Sequence, residues 1–403
     1  MTYGVNCNRM QHIINHYAGA DMSVRKRSWI TSRGEAKQAW IVDYSDQAGE
    51  RHLKTFEKKK DADAYQATVR VDVRRGIHTS TRMTVAEAGA KWVADAEDRL
   101  EPATVESYRQ HLSDHLIPYI GGLKLSQLTV PAVRDLMDRL RKGGRSAAMI
   151  KRVVGDLGAI LADAQERGLV AQNVVRSLGR HKRRQDERRH KAKLKIGVDI
   201  PAREEIAAII AELKGRWRPL ILTAIFTGLR ASELRGLQWG GVDLKKRELH
   251  VRQRADRFNG IGKPKSAAGE RTVPMPPLLA NALREWKLAC PKSEHELVFP
   301  TGAGGIESHS NIVQRGLAPV QIAAGVVTKA GKAKYTGLHA LRHFYASWCI
   351  NRVEDGGLGL PIKIVQHRLG HASIQMTADT YGHLFPSGDD GAELAAAERA
   401  LFA

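Results

Sequence analysis

The stretch from Arg180 to Lys195 constrains this chain more than any other. It carries nine Lys or Arg against Asp186 and Glu187, a surplus of seven, and almost no apolar side chain. A segment with nothing to bury cannot join a core, so the 403 residues must fold as separate bodies on either side of it. That length agrees, since one hydrophobic core rarely serves more than about 250 residues. The run itself is either a solvated tether or a tether that also lies along phosphates.

The two sides differ in texture. Residues 1–22 show no period; Met22 is either a second start or the end of a loose lead-in. From Ser23 the pattern reads as strands: Ser28–Thr31, a turn at Ser32-Arg33-Gly34, the run Gln38–Tyr44, a turn near Asp46–Gly49, then Arg51–Phe56. Lys58 to Arg75 reads as helix, with Gly76 as a stop. This predicts a basic module over 23–78, a three-stranded sheet plus one helix. Thr84 with Glu87 forms a capping-box pattern, Pro102 suits a first helical turn, and Thr129 marks another start. Ile150, Val153, Val154, Leu157, Ile160 and Leu161 then fall on one helical stripe. Residues 82–178 therefore read as an all-helical domain and 179–198 as the basic linker. Residues 199–385 read as a mixed α+β domain, with helix at Glu204–Leu213, apolar Leu220–Phe226, strands Glu248–Arg254 and Arg271–Val273, and helix again from His339. The tail, 386–403, reads as a short helix. The expected fold class is a multidomain chain, mainly α with small β-sheets.

Charge narrows the partner. Lys plus Arg is 64 and Asp plus Glu is 43, a formal net charge of +21. A surplus of that size points to a polyanion, with double-stranded DNA first. Cys7, Cys290 and Cys349 are far apart and form no CxxC pair, which argues against a disulfide framework or a cysteine-held zinc and fits a reducing cytosol. No run of 18 apolar residues occurs, so the expectation is a cytoplasmic, nucleoid-associated protein with no membrane partner.

Four pieces could carry chemistry. In Thr227-Gly228-Leu229-Arg230-Ala231-Ser232-Glu233-Leu234, the glycine predicts a bend that lifts Arg230 out of the packed layer. Lys265 to Pro274 has a small, flexible centre between two strands and reads as a hairpin with Lys265 near its mouth. In His339-Ala340-Leu341-Arg342-His343, the spacing puts His339, Arg342 and His343 on one helical face. In Leu369-Gly370-His371-Ala372-Ser373, Ser373 is placed to cap a short helix with Tyr381 near its end. Each alone has an ordinary structural explanation: a solvated arginine, a surface hairpin, packed histidines, a core tyrosine.

Together, in this order and spacing, they resemble the tyrosine recombinase (phage integrase) family. Its Arg, Lys, His-x-x-Arg, His or Trp, and Tyr fall on Arg230, Lys265, His339 with Arg342, His371 and Tyr381. The segment from Lys265 to Pro274 is one residue longer than in some relatives, and Lys263 lies close by as an alternative. The helical domain resembles the family's core-site binding domain, and the β-module its arm-type DNA-binding domain. The resemblance implies a site-specific recombinase of a prophage, genomic island or similar mobile element that needs neither ATP, metal nor cofactor. Its partners would be double-stranded DNA at core and arm attachment sites, three further copies of the chain, and DNA-bending accessory proteins. Excision or resolution on the same scaffold, or DNA binding without cutting, are the alternatives.

The residue types suit attack by a phenol on a phosphodiester. Tyr381 is the expected nucleophile. Its ordinary pKa is about 10, and nearby cations are expected to ease its deprotonation. Arg230 and Arg342 match the non-bridging oxygens as planar donors that stay charged. The resemblance gives Lys265 the leaving 5′-oxygen, His339 a part in proton transfer and His371 a hydrogen bond to the phosphate. Glu233 is expected either to hold an arginine or histidine in place or to be a solvated helix charge. His343 reads as a structural histidine. A zinc site at His339 and His343 is disfavoured, because Ala-Leu-Arg between them lacks the glutamate of HExxH and adds a cation. No acidic pair suits a two-metal nuclease. The apolar Leu394 and Leu401 of the tail pack either on their own domain or on a neighbouring copy.

Overall fold

The computed structural model describes residues 22–30, 35–45, 51–74, 82–170, 172–178, 193–386 and 390–402. Readings that fall on residues 1–21, on the turns at 31–34 and 46–50, on Gly76 and on most of the basic run lie outside the described residues. The chain divides into two compact units, residues 1–183 and 184–403.

The first unit contains two separate hydrophobic cores. In one, β1 (Ser23–Ile30), β2 (Ala36–Ser45) and β3 (Arg51–Phe56) form an antiparallel sheet in that order, with Val24 opposite Val42 and Trp40 opposite Phe56. The helix α1 (Lys59–Arg74) covers it. Ala62, Val69 and Val73 recur at helical spacing and bury against Val42 and Tyr44 of the central strand. The first strand is twice the length of the Ser28–Thr31 read from sequence. Its basic Arg25-Lys26-Arg27 run hides the strand pattern, but its partner β2 pairs along its whole length. Arg25 and Arg51 flank Asp43 on the middle strand, at 3.1 and 2.5 Å.

The other core is all helical. Thr84 caps α2 (Val85–Glu97): its backbone N–H donates to Glu87 Oε2 at 2.8 Å, while Glu87 N–H donates to Thr84 Oγ1 at 3.2 Å. Pro102 opens α3 (Pro102–His111), which runs through a π-helical turn, Leu112–Leu116, into α4 (Ile117–Ile120). Thr129 and Ser146 cap α5 (Val130–Lys142) and α6 (Ala147–Glu166). The stripe from Ile150 to Leu161 on α6 is buried, each side chain adding about 1.5–3 kcal/mol of apolar burial.

The second unit is built around α8 (Trp217–Thr227), which follows α7 (Arg203–Glu212) and is buried on nearly every side. Next come α9 (Ala231–Arg235), β4 (Val242–Asp243), β5 (Glu248–Val251), β6 (Arg254–Ala255), β7 (Ile261–Gly262), β8 (Arg271–Pro274) and α10 (Pro277–Ala289). After them α11 (His309–Asn311) leads through a π-helical turn into α12 (Ala318–Ala323). The chain closes with α13 (His339–Ile350), α14 (Ile362–Leu369), α15 (Ile374–Tyr381) and α16 (Asp390–Leu401). Both α10 and α13 pack on α8.

The strand order β4-β5-β8 corrects one expectation. Lys265 does not sit in a simple two-stranded hairpin. The partners β5 and β8 are separated by an excursion in which β6 and β7 pair with each other, and Lys265 lies between β7 and β8. The sequence 252–270 interrupts the β-pattern with Asp256, Gly260, Gly262 and Pro264, so its local pairing overrides a continuous ribbon.

Candidate active site

Two left-handed glycines shape the site. Gly228 ends α8 at φ 58°, and a Cβ there would come within 2.4 Å of the Tyr345 ring. Only glycine fits that turn, and it delivers Arg230 to the start of α9. Gly370 ends α14 at φ 63°, where a Cβ would lie 2.8 Å from Arg271 Nη1 and 2.9 Å from the Ala268 carbonyl. That turn delivers His371. Ser373 then caps α15 by accepting from Met376 N–H, and the helix carries Tyr381 at its last position.

Arg230 is anchored at three points. Its backbone N–H donates to Glu233 Oε2 and its Nη1 to Glu233 Oε1, both at 2.8 Å, while Nη2 donates to the Gly370 carbonyl at 2.9 Å. Its side chain remains 38% exposed, so the outer face of the guanidinium is open to a ligand. Glu233 is buried and shared. Arg271, whose side chain has no solvent exposure, donates to both of its oxygens at 3.1 and 2.9 Å. Arg271 also donates to the carbonyls of Gly269 and Arg368, at 3.0 and 2.8 Å. Burial opposes charge on Glu233, but the Arg271 hydrogen bonds and the charges of Arg271 and Arg230 prevail and hold its carboxyl down at about 2.

Arg342 lies beneath, buried on α13. Its Nη1 donates to the Gly228 carbonyl at 2.6 Å and its Nη2 to the Leu369 carbonyl at 2.5 Å, so it ties both glycine turns together. Burial and the like charge of Arg230 push its guanidinium down to about 9, still charged at neutral pH.

Three histidines line the same centre. His371 is buried, with Nδ1 2.9 Å from the hydroxyl of the buried Thr377. His339, exposed, and His343, half-buried, meet edge to face at 4.5 Å between ring centres. Burial lowers the pKa of His371 and His343 to about 4, helped by Arg342 and Arg230 at His371 and by His339 and Arg342 at His343. Partial enclosure, Arg342 and Arg230 lower that of His339 as well.

Tyr381 is 1% exposed. Its ring stacks parallel to His371, 6.3 Å between centres, and its hydroxyl lies 2.7 Å from His343 Nδ1. Arg342 and Arg230 both act on it electrostatically, but in the opposite sense to its burial, and burial wins: the phenol is pushed up to about 12. The two guanidiniums thus act in the expected direction, but the net shift is upward. Enclosure on all sides outweighs two guanidiniums at this position.

The fold thus gathers Arg230, Glu233, His339, Arg342, His371 and Tyr381. Lys265 and Lys263 are exposed on the excursion between β7 and β8, and neither belongs to the packed cluster. Among the described residues no group of three or more His, Cys, Asp and Glu is placed to hold a metal ion. No helix among them is long and apolar enough to cross a membrane.

Residues 202–387 match the phage integrase family, and residues 84–141 match the phage integrase N-terminal SAM-like domain. The chain belongs to the phage integrase family of tyrosine recombinases. A tyrosine recombinase XerC-like protein of Caldanaerobacter subterraneus subsp. tengcongensis is 26% identical over 90% of this chain and 96% of its own length. The ICEBs1 integrase of Bacillus subtilis is 23% identical over 73% and 78%. Among solved structures, the Tn1549 transposon integrase in complex with circular intermediate DNA aligns with a TM-score of 0.60 at 19% identity. It covers 79% of this chain and all of that one. A lambda integrase tetramer bound to a Holliday junction aligns at 0.51 and 15%, covering 86% and 95%.

Within this integrase, sequence reasoning missed three side chains. Arg271 was one letter in a hairpin string, since a carboxylate partner 38 residues away leaves no local signal. Thr377 sits between the cap and the tyrosine, and only the three-dimensional turn brings it to His371. His343 was read as a structural histidine, and its contact with the nucleophile, Nδ1 2.7 Å from the Tyr381 hydroxyl, joins residues 38 positions apart that spacing does not connect.

Proposed function

We propose that this integrase cuts and rejoins double-stranded DNA at specific sites through a covalent 3′-phosphotyrosine on Tyr381. Tyr381 attacks the scissile phosphorus, the P–O5′ bond breaks, and the enzyme retains the 3′-phosphate as a phosphotyrosine. A 5′-hydroxyl from the partner duplex then reverses the step, so no external energy source is needed. Arg230 and Arg342 neutralise the charge that grows on the non-bridging oxygens, and such preorganised donors typically supply about 3 kcal/mol each. His371 hydrogen-bonds the phosphate, with its ring fixed by Thr377. Lys265, free on its exposed segment, swings in to protonate the leaving 5′-oxygen.

The single observation that supports this reading is the enclosure of Tyr381 with Arg342 and Arg230 in one centre of one chain. The helical body with the N-terminal sheet supplies the DNA grip, the helices on the core site and the basic β-module on arm sites. The basic run from Arg180 to Lys195, which joins the helical domain to the catalytic domain in the sequence, adds a surplus of seven positive charges to that grip. Four copies assemble on two duplexes and exchange strands through a Holliday junction, in the cytoplasm where that DNA lies. Excess positive charge makes binding steeply salt-dependent.

The test is a nicked duplex spanning the junction of the element that encodes the chain, incubated in EDTA. The wild-type chain forms a protein–DNA adduct and Tyr381→Phe forms none while still shifting the duplex on a gel. Binding without any adduct would make the chain a non-cutting regulator. Cleavage abolished by EDTA would make it a metal-dependent nuclease.

A further inference from the structure

Chemistry at Tyr381 needs a destination for its proton. We propose that His343 is the base that takes it, a role distinct from those given above to Arg230, Arg342, His371 and Lys265. The proposal rests on the recombinase reading above and deepens it.

Geometry comes first. A general base must lie about 2.6–3.2 Å from the atom it deprotonates. His343 Nδ1 is 2.7 Å from the Tyr381 hydroxyl. The two other histidines of the centre are placed differently. His371 directs Nδ1 to the Thr377 hydroxyl at 2.9 Å, and its ring lies parallel to the tyrosine ring with 6.3 Å between centres. His339 contacts the His343 ring edge to face, 4.5 Å between ring centres. Both residues of the pair are held from outside. Tyr381 is fixed at the end of α15, and His343 sits one residue beyond Arg342, whose two carbonyl contacts lock that turn of α13.

Protonation state agrees. Burial together with His339 and Arg342 keeps His343 neutral at physiological pH, with Asp199 the acidic group acting on it in the opposite sense. A neutral ring offers one bare nitrogen. With the proton on Nε2, Nδ1 accepts from the phenol.

The step balances without a further reagent. The Tyr381 O–H bond breaks, its proton passes to Nδ1, and the phenolic oxygen's electron pair forms the new O–P bond as the P–O5′ bond breaks. The leaving oxygen takes its own proton from a separate donor, Lys265 in the scheme above. A free phenolate in this buried place would be costly, as the raised pKa of Tyr381 indicates. Transfer concerted with O–P bond formation avoids it, since the charge moves directly onto phosphoryl oxygens beside Arg230 and Arg342. In the rejoining step the imidazolium returns its proton to the departing phenol.

The experiment separates the two proton transfers. Two substrates are compared on full-length protein: an ordinary nicked duplex, and one with sulfur replacing the bridging 5′-oxygen at the scissile phosphate. A thiolate leaves without protonation, so the sulfur substrate should restore Lys265→Ala but not His343→Ala. On the ordinary substrate, His343→Ala and His343→Asn should each slow adduct formation by about 10²–10⁴-fold. Added imidazole should recover His343→Ala in a concentration-dependent way, which a merely structural loss would not allow. His343→Asn keeps a hydrogen-bonding group near the hydroxyl and guards against a folding defect. Wild-type rates in His343→Asn, or full rescue of His343→Ala by the sulfur substrate, would overturn the assignment. Absence of any adduct with the wild-type chain would instead refute the recombinase reading itself.

Discussion

Replacing Glu233 by Gln removes one charge and almost no volume from the centre of the site. The gap between about 2 in the folded protein and the ordinary 4.5 favours the ionised carboxylate by about 3 kcal/mol at neutral pH. That preference comes from Arg271 and Arg230, net of the burial that opposes it. Glutamine accepts at one oxygen only, so Arg271, with no exposed surface, keeps the Gly269 and Arg368 carbonyls but loses its counter-charge. Breaking a buried pair from one side costs about 3–5 kcal/mol, in line with the figure from the carboxylate. Denaturant unfolding followed by tryptophan fluorescence reads this directly, since Trp217, Trp239, Trp286 and Trp348 all lie in the second unit. The second-unit transition should lose about 3 kcal/mol, and adduct formation should fall by more than tenfold because Arg230 keeps at most one of its two bonds to this side chain and loses its counter-charge. Arg271→Met added to Glu233→Gln should cost much less than the sum of the two single changes. If Glu233→Gln unfolds within about 0.5 kcal/mol of the wild type and cuts at the same rate, the argument that this carboxylate organises the arginines is refuted.

Gly228→Ala forces a left-handed alanine against the Tyr345 ring, costing at least about 1–2 kcal/mol from the backbone alone, and should lower the melting temperature and displace Arg230. Unchanged melting and unchanged cutting would contradict the turn's role. Thr377→Val removes the partner of His371 Nδ1 without changing shape; adduct formation should drop by about tenfold with DNA affinity retained, and an unaffected rate would remove Thr377 from the machinery. Acidification should loosen the second unit. His343 and His371 titrate near 4 when folded and near 6.5 when unfolded, so below about pH 6.5 the unfolded chain binds protons the fold refuses. Stability is complete above that pH and falls towards pH 4, by about 1.4 kcal/mol per histidine per pH unit within the window. Equal stability at pH 7.5 and 5 would contradict the burial of these rings. Glu233 adds its own loss lower down, as pH falls from 4.5 towards 2.

Local chemistry explains how much of this was legible in the sequence. Helix starts at Thr84, Thr129 and Ser373 were readable because each side chain accepts from a neighbouring backbone N–H, and the start at Pro102 because proline lacks the N–H that a first turn leaves unpaired. The glycine before Arg230 was readable as a bend, since few other residues tolerate φ near +60°; the equivalent turn at Gly370 emerges only in the structure. Contacts between distant segments left no such trace. Arg271 reaches back to Glu233 and forward to Arg368, a link across 97 residues. The setting of Lys265 depended on β6 and β7 pairing with each other. The direction of the Tyr381 shift depended on enclosure, which no residue pattern reports. Motifs revealed which residues converge; only the packed structure revealed which proton each can move.

Mass-spectrometric mapping of the trapped protein–DNA species tests the central claim most directly. After nuclease and protease digestion of the adduct formed in EDTA, the nucleotide should be attached through its 3′-phosphate to the peptide containing Tyr381. Attachment to any other residue, or through a 5′-phosphate, would contradict the account.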